Sequence, residues 1–476
     1  MNTPTFTKLE QYNNQVFLMS DSGDSLTYQE AANLADRMVS AIPQQSLVFL
    51  LCQNSVSCIA AYFGLLRKKC VPLLLDQNLN DGLLQGLRDR YCPDFVIKCM
   101  DEWRIDERCI DVTTFRSDAE KTALHPELAL LLSTSGSTGD PKLVRLSDKN
   151  LQRNAEAIAE YLKIDKTQRA VTSLPMHYTY GLSIIHSYAL AGASLLVTDK
   201  TMFEEDLWNA VRQYRVTSLS GVPYHWNMLK RLRLTEMDLS DLKVLTQAGG
   251  KLSEELQNYF GTWAQETGRS FYIMYGQTEA TARMSYLPPE KCLEKPGSIG
   301  VPVPGGKFLL QDDAGNEIAG AGIEGELVYQ GENVSMGYAF CATDLEKEEE
   351  NKGVLRTGDL AVRDTDGYYY ITGRKTRFLK LYGKRVSLDH LEERLKELYP
   401  GWDFACTGTD GVVRVFVSGL NMEESSFQYE ESIKKISSSL SERFGLHKNK
   451  AIVTGLPCIP RNTSGKVIYQ ELPIIG

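Results

Sequence analysis

Ser133-Thr134-Ser135-Gly136-Ser137-Thr138-Gly139-Asp140-Pro141-Lys142 directly follows the apolar run Leu128 to Leu132. An unbroken apolar run of this length reads as a strand buried on both faces, the kind that fills parallel sheets. A loop of glycines and hydroxyls after such a strand turns backbone N–H groups and side-chain hydroxyls toward one concavity, which suits phosphate oxygens. Its spacing is not the GxxxxGK[ST] of a Walker A loop. Working outward, the first third of the chain alternates strand and helix signals. Thr27-Tyr28-Gln29-Glu30 has capping-box spacing, and Ala31, Leu34, Ala35, Met38, Val39 and Ile42 then recur at helical intervals. The runs Leu47 to Leu51 and Val71 to Leu75 flank a helical stretch from Ile59 to Leu66, and another helix is expected from Leu151 to Leu162. Such βαβ units imply parallel sheet.

Glycine and proline punctuation from Pro296 to Gly337 predicts short strands and turns instead. Near the C-terminus, Leu388, Leu391, Leu395 and Leu398 form one helical stripe. A hairpin is expected around Asp410-Gly411, then a helix over about Glu431 to Phe444 and a strand from Ala451 to Val453. The expected fold class is α/β: a large N-terminal domain, 1–375, with βαβ sheets and a β-rich subregion, and a small mobile α+β domain, 376–476.

The 476 residues allow about three compact units at ~150 residues each. With 42% apolar and 24% charged residues the composition is that of a soluble globular protein. Lys and Arg number 52 against 61 Asp and Glu, a formal charge of -9. That acidic balance argues against sequence-independent nucleic-acid binding while leaving room for a basic pocket. No apolar run reaches ~18 residues and no secretory signal is visible at Met1 to Glu10, so a cytoplasmic location without membrane insertion is expected. The ten cysteines form no CxxC pair and read as small buried hydrophobes in a reducing compartment, with no zinc site expected.

The Ser133 to Lys142 segment resembles the phosphate-loop signature of the adenylate-forming superfamily, which includes acyl-CoA synthetases and peptide-synthetase adenylation domains. Further motifs follow in the family's order, so the resemblance covers essentially the whole chain. Tyr275-Gly276-Gln277-Thr278-Glu279 is similar to YGxTE, and Gly325-Glu326-Leu327 with Gly331 and Gly337-Tyr338 to the GEL…G…GY stretch. Arg356-Thr357-Gly358-Asp359, Gly373-Arg374 and Pro460-Arg461-Asn462-Thr463-Ser464-Gly465-Lys466 are similar to the RTGD, hinge and C-terminal lysine motifs.

The resemblance implies an AMP-forming acid–thiol ligase using ATP, Mg²⁺ and coenzyme A. A carboxylate attacking ATP brings two anions together, and that charge must be neutralised as pyrophosphate leaves. Lys466 matches the lysine bridging substrate carboxylate and α-phosphate; Glu279 the Mg²⁺ ligand; Thr278 an α-phosphate contact. Thr134, Ser135, Gly136, Ser137, Thr138, Gly139 and Lys142 would hold phosphate, with Tyr275 and Gly276 beside the nucleotide. Asp359 would accept from both ribose hydroxyls and Arg374 would contact ribose or phosphate. Gly249 and Gly250, within Gln247-Ala248-Gly249-Gly250-Lys251, resemble the turn beside adenine. Gly383 and Lys384 would line the pantetheine thiol channel, with Lys384 or Arg385 meeting the phosphates of coenzyme A.

Two positions depart from the family pattern. Thr376 stands where the hinge usually has Asp or Lys, and in Pro175-Met176-His177-Tyr178 the histidine comes one residue early. No aspartate is present in that segment to pair a substrate ammonium, which disfavours α-amino acids and favours an uncharged acyl or aryl tail. His177, Tyr178, Tyr180, Val222, Pro223, Tyr224, Tyr272 and Met274 are the candidate pocket walls. The acceptor is expected to be coenzyme A, or alternatively the phosphopantetheine of a separate acyl carrier protein, since no carrier domain is expected after Lys466. Two further alternatives are a non-catalytic module that binds acyl-adenylate or CoA, and a kinase releasing ADP.

Overall fold

The computed structural model describes residues 4–100, 110–115, 122–133, 142–381, 384–409, 412–419, 426–444, 446, 450–461 and 467–473. These form two compact units. The first is drawn from 1–136, 140–308 and 328–355, the second from 309–327 and 356–476.

The first unit holds two large sheets. In one, the strands run in the order Gly337–Ala339, Leu143–Ser147, Leu128–Ser133, Val71–Asp76, Leu47–Cys52, Phe95–Cys99 and Ile110–Thr114. Its centre is parallel, with Leu50 opposite Leu74 and Ile97, and Leu73 opposite Leu131. Leu47, Val48, Phe49 and Leu50 are wholly buried, each worth about 1.5–3 kcal/mol by area. The helix Tyr28–Met38 starts at the Thr27/Glu30 capping box, Val56–Arg67 at a Ser55 cap, and Asp148–Tyr161 at a Ser147/Asn150 box. Leu143–Ser147 pairs antiparallel with Leu128–Ser133.

The second sheet contains nine strands. Ser270–Tyr275, Val244–Gln247, Ser218–Gly221, Arg169–Val171, Ser194–Val197 and Val16–Ser20 run parallel in that spatial order. The helices Thr179–Leu190, Glu205–Gln213, Pro223–Arg231 and Glu254–Glu266 connect successive strands. Residues 301–302, 307–311 and 325–330 are the short strands expected of the glycine- and proline-rich region.

The second unit includes a three-stranded sheet. Asp403–Thr409 and Val412–Ser418 are antiparallel, and Ala451–Gly455 adds parallel to Val412–Ser418. The helices Leu388–Leu398 and Ser426–Phe444 pack on it, with Leu391, Leu395, Val415, Ile436 and Leu440 in one core. Asp410 and Gly411 lie outside the described residues. No disulfide forms among the described cysteines: Cys52, Cys58, Cys70, Cys99, Cys292 and Cys406 are buried, Cys92 and Cys341 half-buried, and Cys458 exposed. Among the described residues no helix is long and apolar enough to cross a membrane.

One buried group ties the first unit's stability to pH. His186 stacks on Phe6 at 4.5 Å and shares a 2.7 Å hydrogen bond with the Tyr62 hydroxyl. Burial lowers its pKa from the usual 6.5 to about 3. Below pH 6.5 the unfolded chain takes up a proton that the folded chain refuses, so stability is lost as pH falls toward 3. The loss is ~1.4 kcal/mol per pH unit, or about 2 kcal/mol by pH 5. Denaturant unfolding at pH 7.5 and 5 should show this loss in the wild type and a loss about 2 kcal/mol smaller in His186→Gln. Equal losses in the two proteins would remove His186 from the account.

Candidate active site

Three adjacent parallel strands of the nine-stranded sheet deliver the candidate residues from their carboxyl ends. Ser218–Gly221 leads into Val222, Val244–Gln247 into Gly249 and Gly250, and Ser270–Tyr275 into Gly276, Thr278 and Glu279. Open α/β sheets present ligand sites at this edge.

The segment after Tyr275 is tightly constrained. A Cβ on Gly276 would lie 1.8 Å from the Ala282 carbonyl oxygen, so only glycine fits there. Thr278–Ala280 forms one 3-10 turn, after which Thr281 takes φ +65°, a costly backbone for a β-branched residue. Asn333 holds that conformation: its Nδ2 donates to the carbonyls of Ala280 and Arg283, both at 3.0 Å, and its own carbonyl accepts from the Thr281 hydroxyl at 2.7 Å. Glu279 Oε1 accepts from the Tyr338 hydroxyl at 2.7 Å, and the Glu279 carbonyl accepts from the Ser335 N–H. Lys142 Nζ sits 3.8 Å from the centroid of the Tyr338 ring, a cation–π contact. Burial, with the Glu279 carboxylate adding to it, drives the Tyr338 phenol far above its ordinary range, so it stays a neutral donor.

The turn at Gly249 meets the aromatic residues. Gly249 has φ +85°, and a Cβ there would come within 2.5 Å of the Tyr178 oxygen and 3.1 Å of Val222 Cγ1. Gln247 Nε2 donates to the Gly250 carbonyl at 2.8 Å. Tyr178 packs edge-on to Tyr180 at 6.3 Å, and burial raises its phenol to about 12. The Tyr180 and Ser220 hydroxyls each lie 2.8 Å from Thr246 Oγ1. Met274 is buried beside the Tyr161 hydroxyl, and Tyr272 leans on the rings of Tyr161 and Tyr286.

Two pocket candidates, Tyr224 and His177, have surroundings of their own. Tyr224 is 48% exposed and packs on Phe203, so it faces solvent rather than a cavity. His177 stands 3.9 Å from the Asp76 carboxylate, with its Nδ1 buried and without a partner among the described residues. Burial lowers its pKa against the opposing pull of Asp76 and Cys58, which keeps the ring neutral.

In the second unit, Asp359 is almost fully buried and pairs across the β-ladder with Arg374, whose Nε donates to its Oδ1 at 3.0 Å. Glu326 accepts from Arg356 at 2.9 Å and from Lys375 at 3.1 Å, and these two cations hold its carboxyl below the usual range despite burial. Arg377 pairs with Asp389 and Glu392. Thr376 is exposed between these anchored neighbours. Thr134, Ser135, Gly136, Ser137, Thr138, Gly139, Gly383 and Lys466 lie outside the described residues, and Lys384 is described only as backbone of the strand Lys384–Ser387. Sequence reasoning missed Asn333, which lies in an ordinary-looking turn, and Arg283, which reads as a surface charge.

The model of the family described as AMP-binding enzyme matches residues 6–339. A long-chain-fatty-acid–CoA ligase of Escherichia coli is 29% identical over 371 residues, 75% of this chain and 64% of that protein. The chain therefore spans about two thirds of that relative's length. A 2-succinylbenzoate–CoA ligase of Lactococcus lactis is 24% identical over 97% of this chain and 98% of its own. Among solved structures, o-succinylbenzoate CoA synthetase of Bacillus subtilis with its acyl-adenylate intermediate superposes with a TM-score of 0.80 at 20% identity, covering 99% and 98% of the two chains. ATP-bound MatB of Rhodopseudomonas palustris gives 0.77 at 21% identity, with coverage of 99% and 98%.

Proposed function

Since the chain belongs to the AMP-binding enzyme family, we propose that it activates a carboxylic acid with ATP and passes the acyl group to the thiol of coenzyme A. The observation that carries the reading is the meeting of a glycine turn packed against Tyr178 and Val222 with an anchored carboxylate at the ends of neighbouring strands.

In the first step a substrate carboxylate oxygen attacks the α-phosphorus of ATP, the bond to the β-phosphate oxygen breaks, and pyrophosphate leaves. The glycine turn at 249–250 would lie beside adenine, and Thr278 would donate to the α-phosphate. The 134–139 loop and Lys466 take up the charge that develops. Asp359, buried and acceptor-only, suits a ribose diol, with Arg374 beside it. Glu279 fits a hard cation: Tyr338 fixes Oε1 and leaves Oε2, a donor of the kind Mg²⁺ takes. A bound Mg²⁺ would screen the phosphate charge. Among the described residues no group of three or more His, Cys, Asp or Glu could hold a metal, so such an ion would complete its shell with phosphate oxygens and water.

In the second step the CoA thiolate attacks the carbonyl carbon of the mixed anhydride and AMP leaves with the bonding electrons. The domain 376–476 would turn at Thr376 between the steps, carrying Lys466 out and Gly383 and Lys384 in.

Pyrophosphate release across short, branched, aromatic and long-chain acids, with and without CoA, tests the reading. Acid-dependent pyrophosphate and AMP, with acyl-CoA formed when CoA is present, is the expected result. ADP as product would assign a kinase. Release of pyrophosphate without acyl-CoA, restored by a phosphopantetheinylated carrier protein, would move the acceptor to that protein.

A further inference from the structure

Arg283 is 2% exposed, yet among the described residues no carboxylate lies within ion-pair distance of it. Its backbone is fixed, because its carbonyl accepts from both Asn154 and Asn333 at 3.0 Å. The guanidinium lies 4.2 Å from the centroid of Tyr180. Nη1 donates to the Tyr161 hydroxyl at 3.2 Å and to the Met274 sulfur, and Nη2 donates to Ser183 Oγ at 3.0 Å. Nε is buried and has no partner among the described residues. Of five N–H groups, three are thus spent on neutral acceptors, one of them a weak thioether, which leaves Nε–H and one Nη2–H unused among the described residues. A dry guanidinium matched only by neutral groups is an unfavourable arrangement unless an anion completes it.

Met274 and Tyr180 are candidate walls of the acyl pocket, and Tyr178 joins Tyr180 to the Gly249 turn. We propose that Arg283 is the tail-recognition residue of that pocket, and that the acids this chain activates carry a second carboxylate, held bidentately by Arg283 while the first reacts. The inference rests on the acid activation argued above and replaces the uncharged tail expected from the sequence. It also gives a second reason against α-amino acids, since a substrate ammonium would face a buried cation.

Matched pairs test it: succinate against butyrate, adipate against hexanoate, and terephthalate against 4-methylbenzoate, by ATP–pyrophosphate exchange. The dicarboxylic member of at least one pair should show kcat/KM about 30-fold or more above its partner. Arg283→Gln should bring that ratio near one through the diacid KM, and Arg283→Lys should keep part of it. The preferred diacid should also raise the melting temperature of the wild type and leave Arg283→Gln unmoved. A wild type that prefers the monoacids, or a ratio unchanged in Arg283→Gln, overturns the proposal while leaving acid activation intact. If Arg283→Gln does not fold, the wild-type ratio and the Arg283→Lys ratio decide. Exchange with no acid of either kind overturns acid activation itself, and this inference with it.

Discussion

Lys466→Ala should slow pyrophosphate release by about 100-fold or more, while CoA still consumes synthetic acyl-adenylate at close to the wild-type rate. The split follows from where charge develops. In the first step a carboxylate approaches a polyphosphate, and a fixed cation between them acts most strongly in the transition state. In the second, a thiolate attacks a neutral carbonyl carbon, and that cation has nothing to bridge. Residue 466 lies outside the described residues, but its flanks are closed: Arg461 bridges to Val467, the Ile468 N–H donates to the Pro460 carbonyl at 2.9 Å, and Arg461 pairs with Asp403. Separate assays of adenylation and thiolysis decide the matter. Unimpaired adenylation in the alanine variant would show the lysine to be misassigned.

Glu279→Gln should cost adenylation a comparable factor, roughly 100-fold, and shift its Mg²⁺ dependence to higher concentration, because an amide oxygen is a weaker partner for a hard cation. Tyr338→Phe separates position from charge. It keeps the carboxylate and removes the 2.7 Å hydrogen bond that aims it. Loss of such an orienting partner typically weakens metal affinity by ~10- to 100-fold. The half-saturating Mg²⁺ concentration should therefore rise about tenfold in Tyr338→Phe, with the rate at saturating Mg²⁺ near that of the wild type. Manganese binding to the ATP-loaded protein, followed by electron paramagnetic resonance, gives the same comparison without turnover. Unchanged metal affinity in both variants would detach Glu279 from the cation.

Much of the fold was legible because its strands are unbroken apolar runs and its helices begin with side-chain caps. Leu47–Cys52 and Val71–Leu75 appear in the sequence as blocks with no polar interruption, and Thr27 with Glu30 marks a helix start by its own chemistry, whereas the helix expected from Leu151 starts earlier, at Asp148 behind the Ser147 cap. The return strand Leu143–Ser147 was not legible, because Arg145 interrupts it. That arginine is fully buried, and the Met336, Lys347 and Glu348 carbonyls together with the Glu350 carboxylate accept from its Nη1 and Nη2. Arg283 misleads in the same way: a charge is read as surface until the partners around it are known. The site was legible where a motif is local, as in Tyr275 to Glu279. The pocket was less so, because Tyr178, Tyr180, Val222 and Met274 come from three separate stretches that only the sheet brings together.

The distribution of thiols has a practical corollary. Six of the described cysteines are inaccessible, whereas Cys458 stands in the open within 376–476, the part of the chain proposed above to turn. A maleimide fluorophore would find it without engineering, and the dye's anisotropy could then time the swing against each half-reaction in a single stopped-flow trace.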